Sequence, residues 1–206
     1  MAIDTIITGI KVDNGADNGK SPVYNSTTKV FDMATPSGGG WVTIASGQLG
    51  SASATLMNAT SISTDYDSFR LKLFHQNVSG SIRDVWLRFN GDTGGNYATE
   101  SVNFSSTTTT PSRESGQTKI RLGIGQSLGL SAVAHWDISI SKPLTGTTAS
   151  VVINGSYDNT SDVKRFSAAG HWDNTSSKIT SISVTDEDGT GVFDTGSYYI
   201  LEGFVI

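Results

Sequence analysis

Residues 178–206, KITSISVTDEDGTGVFDTGSYYILEGFVI, constrain the fold more than any other stretch of the chain. They read as two strands, 179–185 and 197–206, joined by an acidic, glycine-rich loop. Ile182 and Val184 fall on one face of the first, with Ser181, Ser183 and Thr185 on the other. In the second, Tyr199, Leu201, Gly203 and Val205 alternate with Tyr198, Ile200, Glu202, Phe204 and Ile206. Period-two alternation marks a strand, and a strand apolar on both faces belongs inside a layered β structure rather than on a wet surface. The C-terminus is expected to be sewn into a sheet.

Nothing upstream offers helices as an alternative. Ser, Thr, Gly and Asn abound, with 23 glycines and only 16% charged residues, so the Glu/Lys/Ala/Leu runs that helices favour are missing. Alternation instead recurs at 41–45, at Phe69, Leu71 and Leu73, and at Val85, Leu87 and Phe89. Val102 and Phe104 make a short strand, 107–111 a polar loop, and 119–124 and 132–140 further strands. In the last of these Ala134, Trp136, Ile138 and Ile140 share a face. Residues 151–153 and 165–172 precede the closing pair. With 206 residues the chain can bury one substantial core plus an arm or small lobe. The expectation is all-β: a jelly-roll-like two-sheet β-sandwich over 41–206 with an extended N-terminal arm, since two sheets give each other a face to bury. The echo of AHWD (134–137) in GHWD (170–173) fits two similar strands facing one core, without the period of propeller blades.

Residues 1–40 differ from the rest. Ile6, Thr8, Ile10 and Val12 alternate in a short extended piece, DNGADNG (13–19) is turn-forming, and PSGGG (36–40) is a flexible joint. Apolar residues at intervals, with no core of their own, gain little by folding alone. The segment reads as an arm laid on a neighbouring molecule; the alternative is a hairpin packed on its own domain.

Net charge −5, with no basic run longer than Lys164-Arg165, argues against nucleic acid as a partner. No stretch approaches the length of a membrane span. The absence of cysteine removes disulfides and thiolate metal sites, and fits synthesis in a reducing cytoplasm. The N-terminus lacks the basic and apolar regions of a secretory signal.

Catalytic patterns are thin. GQSLG (125–129) has the G-x-S-x-G spacing, but strand-like residues follow where a nucleophile elbow needs a helix. His75, His135 and His171 lack zinc-ligand spacing, although His135 and His171 could meet across adjacent strands. Asp186 and Asp188, and the acids in 13–17, lie in oxygen-rich loops without the distal Glu of a calcium hand. Asp65, Asp67, Asp137 and Asp173 show no pairing that would mark a glycosidase. The expectation is a protein that is not an enzyme and has no metal site and no cofactor. One platform merits notice: Trp86 lies opposite Val85, Leu87 and Phe89, and with Asn90, Asp92 and Tyr97 could present an aromatic surface with polar rims to a glycan or to another subunit.

Two segments resemble virion proteins of tailed bacteriophages. VWLRFNGDTGGNYA (85–98) is similar to their strand–loop pattern "lxLRFNgDtgxNYx". GSYYILEG (196–203), preceded by ITSISV (179–184), is similar to their closing "GSxxxLYG" strand after "IxSIxV", with Glu202 where an aromatic usually stands. The resemblance implies a β-sandwich in a phage particle, as a capsid decoration (cement) protein, head fibre or tail adhesin. A decoration protein must hold at many sites without disulfides. A single contact at millimolar affinity supplies only about 4 kcal/mol, whereas linked contacts raise avidity by about 10²–10⁴. A homotrimer bound to the major capsid protein on the outer capsid surface meets that need. Its capsid-contact arm would use Ile3, Ile6, Ile7, Ile10, Val23, Tyr24, Val30 and Phe31. The alternative is a receptor-binding tail or fibre domain that recognises host surface glycans.

Overall fold

The computed structural model describes residues 21–25, 30–34, 40–76, 84–104, 108–122, 133–142, 145–158, 163–186 and 193–205. The described strands are β1 (Ser21–Asn25), β2 (Val30–Ala34), β3 (Gly40–Gln48), β4 (Thr55–Ala59), β5 (Tyr66–Gln76), β6 (Val85–Phe89) and β7 (Tyr97–Phe104). They continue with β8 (Thr109–Gln117), β9 (Ile120–Arg121), β10 (Val133–Ser141), β11 (Ala149–Asp158), β12 (Val163–Trp172), β13 (Ile182–Asp186) and β14 (Tyr198–Val205).

The chain divides into two compact units, Met1–Gly39 and Gly40–Ile206. In the first, β1 and β2 form an antiparallel hairpin that sets Tyr24 opposite Phe31 and Asn25 opposite Val30. In the second, two antiparallel sheets pack against each other as a β-sandwich. The larger sheet has the order β3-β14-β5-β10-β11-β12-β7-β8, the smaller β4-β13-β6-β9.

Alternation explains which residues fill the space between the sheets. In β10 every second residue, Ala134, Trp136, Ile138 and Ile140, is buried while the others are exposed. Phe69, Leu71 and Leu73 of β5 and Val151 and Ile153 of β11 join them from the larger sheet, and Val85, Leu87, Phe89, Ile182 and Val184 from the smaller. β14 lies between β3 and β5, as a strand with two apolar faces should. Only one of its faces meets the core, however. Leu201 is fully buried, whereas Tyr198 stays 39% exposed on the other side. On that side the outward aromatics pack on each other, Tyr198 on Phe74 and Phe204 on Trp41.

Aromatic rings close one end of the core. Trp172 and Tyr97 stack with centroids 6.3 Å apart, and Phe89 meets Trp172 at 5.5 Å and Tyr97 at 6.3 Å. The Tyr97 hydroxyl receives the Phe89 N–H and donates to the Phe89 carbonyl, both at 3.1 Å, so a core ring ties the end of β6 to the start of β7. Burial pushes its pKa up to about 12. Between pH 10 and 12 the unfolded chain has released this proton while the folded chain retains it, so stability falls as pH rises. The contribution is whole below pH 10 and amounts to about 2–3 kcal/mol lost by pH 12. Denaturation midpoints followed over this range should fall more steeply for the parent protein than for Tyr97→Phe.

A candidate interaction face

The outer face of the larger sheet is mapped strand by strand by the ladder registers. One row across it runs Gln48, Tyr198, Phe74, His135, Ser156, Arg165, Phe104 and Thr109. A second row, two residues further along each strand, includes Ile200, Lys72, Asp137, Asn154, Ser167 and Val102. Aromatic residues concentrate on β3, β14 and β5. Phe74 and Tyr198 stack at 5.2 Å, Trp41 and Phe204 meet at 5.4 Å, and the Arg70 guanidinium lies 4.0 Å over the Trp41 ring. Each aromatic pair contributes about 0.5–1.5 kcal/mol beyond its burial, and an exposed cation–π contact about 0.5–1. Such rings, rimmed by Lys72, Arg70 and Glu202, have the composition of a protein interface rather than of a bare solvent face.

The two edges of this sheet are unlike each other. β8 carries Pro111, Arg113 and Glu114, residues that discourage a further strand from pairing. β3 has no charged residue and no proline, although its register with β14 shifts between Leu201 and Glu202. Near the β8 edge a depression of about 190 Å³ is lined by Ala98, Thr99, Glu100, Arg113, Glu114, Ala169, Gly170 and His171. Its rim is already paired: Arg113 meets Glu100 at 3.2 Å, and His171 meets Asp173 at 3.3 Å.

The four residues expected to form an aromatic platform do not form one. Trp86 and Tyr97 lie on opposite sides of β6: Tyr97 stacks with the core-facing Phe89, while Trp86 alternates with it to the outer side of the smaller sheet. Tyr97 is 1% and Trp86 8% exposed, so neither ring is open to a sugar. Asn90 and Asp92 serve the turn between β6 and β7. Asn90 adopts φ +51°, its Oδ1 accepts the Thr180 and Ser181 N–H groups at 2.8 and 3.0 Å, and its Nδ2 donates to the Lys178 carbonyl at 2.8 Å. Asp92 accepts from the Gly94 N–H, Asn96 and the Trp172 indole at 2.7–2.9 Å. Burial draws its carboxyl upward, but these bonds and one from Asn174 outweigh it and hold the pKa below the usual value. The platform fails because Trp86 and Tyr97 are buried on opposite sides of β6, while Asn90 is held by residues 178–181 and Asp92 by Gly94, Asn96 and Trp172.

Asn90 is therefore a positioning residue of the fold. Asn90→Ala should cost about 2–4 kcal/mol, by leaving two backbone donors unmatched and placing alanine in the left-handed region. Asn90→Asp keeps the acceptor and should cost about 1 kcal/mol, a difference readable in urea midpoints.

Other sequence candidates separate. His135 on β10 and His171 on β12 are kept apart by β11, where they face Ser156 and Ser150, so they do not meet. His75 is buried, stacked on Trp136 at 5.8 Å and against Phe193 at 4.8 Å. Asp67 pairs with Lys178 at 2.9 Å, Asp65 with the Ser63 hydroxyl at 2.8 Å, and Asp137 lies out on β10. Asp186 is buried at the end of β13. No group of three or more metal-binding side chains occurs among the described residues. Ile3, Ile6, Ile7, Ile10, the 13–17 acids, 125–129 and Asp188 lie outside the described residues, and for Val23, Tyr24, Val30 and Phe31 only the strand pairing is described.

Two polar sites were not legible in the sequence. Lys142 is 1% exposed, with its ammonium donating to the Thr147 and Asn174 carbonyls at 2.7 and 2.6 Å and lying 5.0 Å from the Trp172 ring. Burial lowers its pKa. Arg121 pairs with Asp84, and with Glu114 at 2.8 Å. Burial acts to lower its pKa, and the two carboxylates more than offset that, raising it.

No protein-family model matches the chain, and neither does any curated protein.

Proposed function

We propose that this is a non-enzymatic structural protein of a tailed-phage virion, a decoration protein that binds the major capsid protein and stabilises the head. The observation that carries the reading is the aromatic outer face on β3, β14 and β5, a surface suited to clasping protein, in a sandwich held without disulfides. The phage-like segments support it from the sequence side: they fall on β13, β6 with its following turn, and β14, the structural strands of the sandwich. On this reading the protein acts as a homotrimer on the outer capsid surface, with residues 1–40 as the anchoring arm. Deleting residues 1–38 should leave a folded sandwich that washes off capsids at least about tenfold more readily, as loss of a linked contact requires. Retained binding by the truncated protein would remove the arm from the account. Gold-labelled antibody on intact particles tests the placement: dense labelling over the head is expected, and labelling confined to the tail tip would favour the glycan-recognising reading instead. The depression beside β8 is the feature that favours that second reading, and its paired rim weakens it.

A further inference from the structure

The outer face of the larger sheet has two unlike halves. On β3, β14 and β5 large side chains rise from it: Trp41 against Phe204, Tyr198 against Phe74, and Ile200 between Tyr198 and Phe204 along β14. On β10, β11 and β12 the outward side chains are short, among them Ser139, Ser150, Val152, Asn154, Ser167 and Ala169. From Ser150 to Ser156 the outward side of β11 carries no charge, and Val152 there is 48% exposed. Such a strip, flat and uncharged at the middle of a sheet, has the make-up of an interface core, where charged residues are depleted. The charges that do lie on the face are matched within it. Across the ladders Glu202 stands opposite Arg70, Asp137 opposite Lys72, and Glu100 opposite Arg113, the last pair 3.2 Å apart. Cross-strand neighbours of opposite sign offset each other, which with Arg165 leaves the face near neutral in a chain of net charge −5.

A strongly acidic or basic partner would find little excess charge to pair with on this face. A second copy of the chain finds what it needs, because one face holds both a projecting half and a flat half to receive it. Eight strands about 4.8 Å apart, each contributing about eight residues at about 3.3 Å, give the face on the order of 900 Å². A standard protein interface takes about 800 Å² from each partner. We infer that this face binds a second copy of the chain, the aromatic half of one copy lying over the short-side-chain half of the other. Large side chains then fill the space above small ones, as facing sheets about 10 Å apart require. Two copies or three can close through such a contact. A dimer would uphold the inference and overturn only the homotrimer proposed above, so the two fail separately.

Sedimentation velocity of the full-length protein over a dilution series is the test. The parent protein should sediment as a multiple of the single chain and dissociate on dilution. Val152→Arg places an unpaired guanidinium in the flat half, and Tyr198→Arg places one in the aromatic half. Each should raise the dissociation constant about tenfold or more, since a charge buried in the contact has no partner there. Asn58→Arg adds the same charge to an exposed position on the outer side of the smaller sheet and should leave assembly unchanged. Circular dichroism melts establish that each variant is folded; Asn154→Arg, also exposed on β11, replaces Val152→Arg if that variant melts early. A parent protein that stays monomeric at every concentration would overturn the inference. So would assembly that survives the β11 variant, or that weakens as much in Asn58→Arg. Loss in Tyr198→Arg alone would confine the contact to the aromatic half and equally overturn the packing of one half over the other.

Discussion

Replacing Trp172 with alanine is expected to destabilise the sandwich by about 3–5 kcal/mol, the range for deleting a buried indole. The side chain is fully buried and is the largest to be so among the described residues. It stacks with Tyr97 and Phe89, supports the Lys142 ammonium, and donates its N–H to Asp92 at 2.7 Å. Alanine would open a cavity beneath a buried cation and leave Asp92 without one of the donors that hold its charge. Trp172→Phe separates the two effects. It keeps most of the ring packing and loses the hydrogen bond, so about 1–3 kcal/mol should be lost. Guanidinium midpoints at unchanged m-value measure both. Equal, small losses in the two variants would mean that this end of the core relaxes freely around the missing ring.

Gly155→Val should be nearly as damaging, at about 3 kcal/mol or more, for the opposite reason. Gly155 stands across the ladder from Trp136. A Cβ there would come within 2.6 Å of the Trp136 ring and 3.1 Å of the His135 backbone oxygen. The ring has little freedom to retreat, because its N–H donates to the Leu122 carbonyl at 2.6 Å and its face stacks on His75. Moving it breaks the indole bond in a buried place, so an unsatisfied donor adds to the overpacking. Gly203 offers a useful contrast. Its missing side chain would meet the Tyr66 ring and the tip of Ile44, both partly buried and able to shift. Gly203→Ala should therefore cost less than Gly155→Ala, a ranking that thermal melts of the two variants can check.

The parts of the sandwich that could be read from the chain are those where burial on one face left a period of two. β10 is the clearest, with Ala134, Trp136, Ile138 and Ile140 turned inward, and β5 and β13 follow the same rule. Where that period is absent, the reading failed. Residues 109–117, TTPSRESGQ, have no apolar face, and the polar loop expected around 107–111 gives way to strand β8. It is held by backbone pairing to β7 and by the ion pairs of Arg113 with Glu100 and Glu114 with Arg121, at a sheet edge where no side chain needs to face a core. β4, TLMNA, is too short to show a pattern, and the strand expected over 119–124 is described only at Ile120–Arg121.

The sequence by itself determined the class of fold: alternation without helix-forming runs leaves layered sheets as the way to bury these side chains. It also marked the closing strand as an interior one, since Tyr199, Leu201 and Gly203 alternate with residues nearly as apolar. The tertiary structure alone decided what the polar and aromatic residues do. Asn90 and Asp92 look like loop residues until β13 and Trp172 are brought beside them, and Trp86 looks like an open platform until Arg121 and Lys119 close over it. The reason is physical. A side chain's period depends on its own strand, whereas its hydrogen-bond partners and its cover come from strands that only folding brings near.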